Sequence, residues 1–227
     1  AQPGDAPRVE RSADSAASDP GFAAAMDTPV RSAMVHLRWA TPGIPVAECN
    51  AHPFQAGDLA FEHNGSLKPL DDLRAMLSPE FRAQLRGDTD SEIYFALIRE
   101  QLALGFDLHD AAARVAGRLR VEFPFASLNA ILLDAEQLVV VHASARSILS
   151  ERDLSEISRH PHLPDEHNED YFALRWTRTR DGVLLIGSTG VAADDWRPLP
   201  AEAVTAIRLD DGSSTSIELE GSAVMQH

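Results

Sequence analysis

The sequence has a single cysteine, few basic residues and no long apolar run. With only Cys49, the chain cannot form an intrachain disulfide framework, which suits a reducing compartment. No apolar run approaches the roughly 20 residues needed to span a bilayer, and no hydrophobic region of a signal peptide is found. We therefore expect no membrane association and a cytoplasmic location.

Basic residues are outnumbered: 20 Lys and Arg stand against 35 Asp and Glu, for a formal net charge of −15. A nucleic-acid backbone or an anionic membrane would be repelled by such a chain, so neither is expected as a partner. The composition is otherwise that of a globular protein, with 44% hydrophobic and 24% charged residues. We find no internal repeat and no linker, and predict one domain over residues 1–227.

The first half of the chain predicts two strands and then helices. Residues 1–25 are rich in Ala, Ser, Asp and Pro, and are expected to be partly disordered or a remnant of an N-terminal region. Partial alternation predicts strands at VRSAMVHLR (30–38) and GDLAFEH (57–63), followed by a helical region around residues 70–85. The segment GDTDSEIYFALIREQLALG predicts a helix, because Thr89 and Glu92 have capping-box spacing and Gly105 is a natural stop.

A second helix is predicted from Asp107 to Leu119, and the apolar period then falls from about 3.6 residues to about 2. This change predicts six strands, in SLNAILLD, QLVVVHAS, YFALRWT, GVLLIGS, AVTAIRLD and STSIELE. Strands before and after a central helix pair fit a layered α+β domain.

Four short polar clusters supply the parts of a small-molecule site: HLRWATPG, NAHPF, EHNG and GDTDSE. The guanidinium of Arg38 can bind a carboxylate, and Asp90 can accept hydrogen bonds from an ammonium group. Asn64 and the backbone N–H of Gly65 can form a donor pair for an oxyanion. Together these groups would hold a free α-amino acid and act on its side-chain acyl group.

Taken singly, each cluster has a plainer explanation. Arg38 fits a surface charge, Asn64-Gly65 is a common turn dipeptide, and Asp90 is an acid favoured by the helix dipole. It is the combination of all four clusters that indicates a site.

In this order and at these separations, the clusters resemble those of class II glutamine amidotransferases, within the N-terminal-nucleophile hydrolase superfamily. The later segment DGVLLIGSTGVAADDWRPLP is also similar to the family, and the similarity runs from about Arg8 to about Leu209. The resemblance implies an α+β fold, a four-layer αββα sandwich of two antiparallel sheets. The family's first strand has no counterpart in this sequence. No cofactor is implied.

By this resemblance, Arg38 would bind the α-carboxylate of glutamine or a γ-glutamyl compound, and Asp90 its α-amino group. Asn64 and Gly65 would form the oxyanion hole. The implied reaction is hydrolysis of the side-chain amide, with any ammonia acceptor on a separate protein. The residues expected to shape and support the pocket are Trp39, Thr41 and His52.

The family's nucleophile is an N-terminal cysteine that forms a γ-glutamyl thioester, whereas this sequence begins with Ala1. A chain starting there is expected to be inactive. It is then either a truncated amidotransferase, which we favour because the oxyanion residues are kept, or a catalytically inactive binding or regulatory protein on the same fold. Cys49 is expected to be a small, buried, inert thiol rather than a substitute nucleophile.

A second polar cluster, HPHLPDEHNED, carries three histidines and several carboxylates at short spacing: His160, His162, His167, Asp165, Glu166 and Asp170. These are ligand types for zinc. A polar, proline-punctuated surface loop is the favoured explanation of the cluster, and the family resemblance requires no metal. No metal site is predicted.

Overall fold

The fold is built from two antiparallel sheets and two long helices, which a computed structural model describes over residues 5–37, 47–147, 155, 171–188 and 195–219. The helices are α1 (Pro20–Met26), α2 (Leu70–Ala75), α3 (Pro79–Arg82), α4 (Asp90–Ala103) and α5 (Leu108–Glu122), with a 3₁₀ turn at Glu48–Asn50. The strands are β1 (Phe54–Ala56), β2 (Leu59–Asn64), β3 (Asn129–Leu133), β4 (Gln137–His142), β5 (Arg175–Arg178), β6 (Leu184–Gly187), β7 (Arg197–Pro198), β8 (Ala203–Arg208) and β9 (Ser214–Glu218).

The larger sheet has six strands in the order β1-β2-β3-β4-β8-β9, and the smaller has three in the order β6-β5-β7. Each described strand pair is antiparallel. The β2–β3 register sets Asn64 opposite Asn129 and Glu62 opposite Ile131. Because β1 also runs antiparallel to β2, the residues before β1 lie at the same end of the sheet as Asn64.

One face of the large sheet is covered by α4 and α5. The Phe61 ring of β2 stacks on Phe95 of α4 at a centroid distance of 5.2 Å, and meets the Tyr94 ring edge-on at 5.3 Å. Helix α5 buries a stripe of small and branched side chains at helical spacing: Ala111, Ala112, Val115, Ala116 and Leu119. Burial of these apolar groups is the main force holding the helices to the sheet.

The other face of the large sheet meets the small sheet. Val140 on β4, together with Leu174 and Leu199, forms a second apolar cluster against which Trp176 and Ile186 of the small sheet pack. The described residues therefore form three successive layers: helices, large sheet and small sheet. The second helical layer implied by the family resemblance stays a prediction.

The two antiparallel sheets, both long helices and six of the predicted strands are confirmed: β3, β4, β5, β6, β8 and β9. Helix α4 starts with Thr89 as its cap and is followed by Gly105, whose φ of +94° suits glycine. The predicted strand at 57–63 is confirmed as β2. The helical region around residues 70–85 is divided into α2 and α3, because Pro79 starts a new helix capped by Ser78.

Three expectations were wrong. No strand is found over residues 30–37 of the predicted 30–38 strand; its His36 stacks on the His52 ring at 4.1 Å instead. The capping box is half formed: the Thr89 hydroxyl accepts the Glu92 N–H at 3.1 Å, but the Glu92 carboxylate accepts the N–H groups of Arg86 and Gly87. Cys49 is exposed, not buried.

Short elements escaped the sequence analysis: helix α1, which begins within residues 1–25, strand β1, and the two-residue β7. Their lengths are too small for a periodic pattern to be recognised. Among the described residues, every helix is too short or too polar to cross a bilayer.

Candidate active site

The His63-Asn64-Gly65 segment ends β2 in close contact with the chain at Ser127. The Asn64 carbonyl accepts a hydrogen bond from the Ser127 hydroxyl at 2.7 Å. A Cβ at position 65 would lie 2.0 Å from the Ser127 carbonyl oxygen and 2.6 Å from His63 Nε2. Glycine is therefore required here by close packing of two backbone segments.

The His63 ring joins this turn to helix α4. Its Nε2 lies 3.1 Å from the Ser127 carbonyl oxygen and its Nδ1 lies 3.1 Å from Ser91 Oγ. Because a carbonyl only accepts, Nε2 carries the hydrogen and Nδ1 accepts from the Ser91 hydroxyl. Burial lowers the pKa of His63, and the nearby Asp90 charge opposes that shift. The ring is thus a neutral brace between β2 and α4.

Asp90, the first residue of α4, holds the chain that follows the turn. Its Oδ2 accepts the backbone N–H of Leu67 at 2.6 Å, and its Oδ1 accepts the N–H of Ser91 at 3.0 Å. A carboxylate has about four acceptor positions, so capacity remains for the ammonium group of a ligand. The fold therefore brings Asn64, Gly65 and Asp90 together, although Asp90 is distant from the other two in sequence.

Two hydrogen-bond donors at the turn stay available. Within the described residues, neither the Asn64 side-chain amide nor the Gly65 N–H has a hydrogen-bond acceptor. The Asn64 carbonyl, in contrast, is engaged by Ser127. Two hydrogen-bond donors are thus present on adjacent residues of a turn braced by Ser127 and His63.

Of the remaining expected pocket residues, His52 is among the described residues. His52 precedes β1, where its ring packs between His36 and Phe54 at centroid distances of 4.1 and 5.1 Å. It lies at the same end of the large sheet as Asn64. The other three, like the histidine-rich segment at 160–167, lie outside the described residues: Arg38, Trp39 and Thr41.

A buried ion pair stabilises the segment next to the turn. Arg120 donates from Nε and Nη2 to both carboxylate oxygens of Glu202, at 2.8 and 3.0 Å. Its Nη1 also donates to the carbonyls of Pro124 and Ala126, at 3.1 and 2.8 Å. These bonds fix the segment that presents Ser127 to His63 and Asn64.

Sequence reasoning assigned no role to His63, Ser91, Ser127 or Arg120. The first two lie inside the EHNG and GDTDSE clusters, so these motifs carried a signal for them. Ser127 and Arg120 stand in ordinary turn and helix contexts, and no local pattern distinguishes them.

Comparison with known proteins identifies the family of this chain. The family model described as glutamine amidotransferases class-II matches residues 8–220. This chain belongs to the class-II glutamine amidotransferases. The turn at Asn64-Gly65 and the acid at Asp90 both lie within the matched residues.

Curated relatives of this amidotransferase domain include two glutamine–fructose-6-phosphate aminotransferases (isomerizing). The protein of Streptomyces coelicolor is 32% identical over 185 residues, which cover 74% of this chain and 29% of the relative. That of Zymomonas mobilis is 38% identical over 100 residues, covering 44% of this chain and 16% of the relative. The chain thus spans less than a third of the length of these relatives.

Solved structures share the fold. A glutamine aminotransferase class-II domain protein from Silicibacter pomeroyi has a TM-score of 0.61 at 21% identity, covering 92% of this chain and 84% of that one. The allosteric regulatory enzyme of purine biosynthesis has a TM-score of 0.53 at 19% identity, covering 82% and 34%. The mixed α/β architecture of two antiparallel sheets is therefore that of the N-terminal-nucleophile amidotransferases.

Proposed function

We propose that this amidotransferase domain hydrolyses the side-chain amide of glutamine or a γ-glutamyl compound through a thioester on an N-terminal cysteine. The observation that carries the proposal is the braced turn: two free donors at Asn64 and Gly65 beside the carboxylate of Asp90. Donors for an oxyanion and an acceptor for an ammonium group suit an amino-acid amide.

Each residue has one task in the proposed reaction. Asp90 accepts hydrogen bonds from the α-ammonium group, and Arg38 pairs with the α-carboxylate. The cysteine thiolate attacks the amide carbon, and the oxygen that becomes negative is held by the Asn64 amide and the Gly65 N–H. The α-amino group of that cysteine, which took up the thiol proton, passes it to the amide nitrogen, so that collapse of the intermediate breaks the C–N bond and releases ammonia. Water then hydrolyses the thioester to the γ-carboxylate.

The proposed reaction requires a nucleophilic cysteine at the N-terminus of the mature chain. N-terminal sequencing and intact mass of the protein from its natural source test this requirement. A mature chain with an N-terminal cysteine supports amide hydrolysis. A natural start at Ala1 overturns it in favour of a catalytically inactive binding or regulatory protein.

The partner follows from the same chemistry. The curated relatives are named for transfer from glutamine to fructose 6-phosphate, and this chain matches less than a third of their length. We propose that ammonia released here is used by a separate protein or region, or that the reaction is plain amide hydrolysis. Measured glutamate and ammonia release distinguish hydrolysis from binding alone.

Ligand recognition is tested by calorimetric titration with glutamine. Asp90→Asn should abolish the preference for glutamine over its analogue lacking the α-amino group. Asp110→Asn is the matched control, because Asp110 also lies in the first turn of a helix but is exposed on α5. If Asp90→Asn keeps the preference, the ammonium-binding role is wrong. Unchanged affinity in Arg38→Ala would likewise exclude the carboxylate-binding role.

A further inference from the structure

Glu62 is a carboxyl group buried in β2, two residues before Asn64. Its neighbours Phe61 and His63 contact the Tyr94 ring of α4. Because side chains alternate along a strand, Glu62 and Asn64 project from the opposite face, the one that meets the small sheet.

The surroundings of Glu62 are apolar. The residue opposite it on β3 is Ile131, which packs against the cluster between the two sheets. Glu62 is only 9% exposed, and its Oε2 has no hydrogen-bond partner in the described part of the chain. Burial raises the pKa of Glu62 to about 8, so its carboxyl is mostly protonated at neutral pH.

Such a group works against stability. A buried polar atom without a hydrogen bond costs roughly 1–3 kcal/mol, and an apolar side chain of similar size would avoid that cost. Buried acids with a raised pKa, placed in a cleft beside reactive groups, are features of functional sites. The position of Glu62 beside the oxyanion turn therefore calls for a ligand.

We propose that the Glu62 carboxyl binds the ammonia or small primary amine that amide hydrolysis releases, an inference that rests on the proposed function. One proton passes from the carboxyl oxygen to the amine nitrogen, leaving a carboxylate–ammonium pair with no change in total charge. The transfer is favourable because an aliphatic amine, with a pKa of about 10.4 in lysine, is a stronger base than the Glu62 carboxylate.

The distance suits this role. Two residues of a strand span about 7 Å, so the side chains of Glu62 and Asn64 are neighbours on one face of β2. A divalent metal is a poorer fit, because the described residues hold no group of three metal-ligating side chains. A monovalent amine needs only one charged acceptor.

The test is thermal unfolding in ammonium chloride and methylammonium chloride, with tetramethylammonium chloride at equal ionic strength as the reference salt. Ammonium and methylammonium should raise the Tm of the unaltered protein above the reference, and the excess should vanish in Glu62→Gln. Glu136→Gln is the matched control, since Glu136 is an exposed carboxyl in the turn between β3 and β4; it should keep the excess. An equal rise in both variants, or no excess at all, overturns the proposal.

A second readout covers a variant that fails to fold. In the unaltered protein with ¹³C-labelled glutamate, ammonium should shift the buried carboxyl resonance toward the carboxylate value, whereas tetramethylammonium should leave it in place. An unshifted resonance also overturns the proposal. Neither measurement needs glutamine or a nucleophile, so failure of amide hydrolysis and failure of amine binding are told apart.

Discussion

At the scale of single residues, Gly65 is the position where one atom decides the site. Gly65→Ala should lose glutamine binding and about 1–3 kcal/mol of unfolding free energy, because the added Cβ would overlap the Ser127 carbonyl oxygen. Gly117→Ala in α5 is the control, since nothing lies within 4 Å of its added Cβ. There the same substitution should stabilise the helix by about 0.5–1 kcal/mol. Urea unfolding measures the change in unfolding free energy of the two variants.

Burial raises the pKa of Glu62. The free energy of unfolding should therefore depend on pH with the opposite sign to that produced by an acid whose pKa is lowered on folding. The folded-state pKa of Glu62 is about 8 against a reference value of 4.5, so the folded protein loses stability as the pH rises between these values. Glu62→Gln should therefore be more stable than the unaltered protein, increasingly so toward about pH 8, at about 1.4 kcal/mol per unit of pKa difference. The unfolding free energy of Glu136→Gln should not show this trend.

At the scale of secondary structure, the Arg120–Glu202 pair joins α5 to the residue that precedes β8, and its side chains are 3% and 6% exposed. Glu202→Gln should cost about 3–5 kcal/mol, because it leaves the Arg120 charge buried without its counter-ion. The exposed pair of Arg208 and Asp210, at 56% and 59%, supplies the comparison: Asp210→Asn should leave the unfolding free energy almost unchanged, because water screens an exposed pair. Equal losses in chemical denaturation would contradict this account.

At the scale of the whole molecule, His142 connects the two sheets. Its Nδ1 donates to the Leu199 carbonyl at 3.2 Å, and its Nε2 accepts the Leu174 N–H at 3.3 Å. Burial lowers the pKa of His142 below its ordinary 6.5. Its contribution to stability is thus complete above about pH 6.5 and is lost as the pH falls through the lowered value, because protonated Nε2 would oppose the Leu174 N–H.

Hydrogen exchange measures this docking directly. Below about pH 6, amide protection in the small sheet should fall more than in α4, after correction for the intrinsic exchange rate. In His142→Gln the protection should be lower throughout and should change less with pH. A uniform loss over both regions would place the acid-sensitive group elsewhere, with His63 the alternative because burial lowers its pKa too.

Much of the fold was predictable because its signals are local. The helical period and the caps of α4 and α5, and the alternation in β3, β4 and β8, arise between residues a few positions apart. The partial alternation over 30–38 misled for the same reason: local alternation does not guarantee a partner strand, and none is formed by the described residues there.

The candidate site was predictable only where a motif carried it. The EHNG motif predicted Asn64 and Gly65 as site residues, and the helix start in GDTDSE predicted Asp90. In the fold, Asp90 accepts the N–H of Leu67, two residues after Gly65. The exposure of Cys49 was not predictable, because a single thiol in a short 3₁₀ turn has no sequence pattern around it.

By itself, the sequence determined the helices, most strands, the family and the position of the turn at Asn64-Gly65, because each follows from short-range periodicity or from motifs in fixed order. Only the tertiary structure decided that Ser127 fits against Gly65, that Arg120 pairs with Glu202, and that Glu62 faces the small sheet. His63 and Ser127 are 64 positions apart, Arg120 and Glu202 are 82 apart, and both pairs meet through sheet register and layer packing. That register is set by the burial of whole faces, which no single segment encodes.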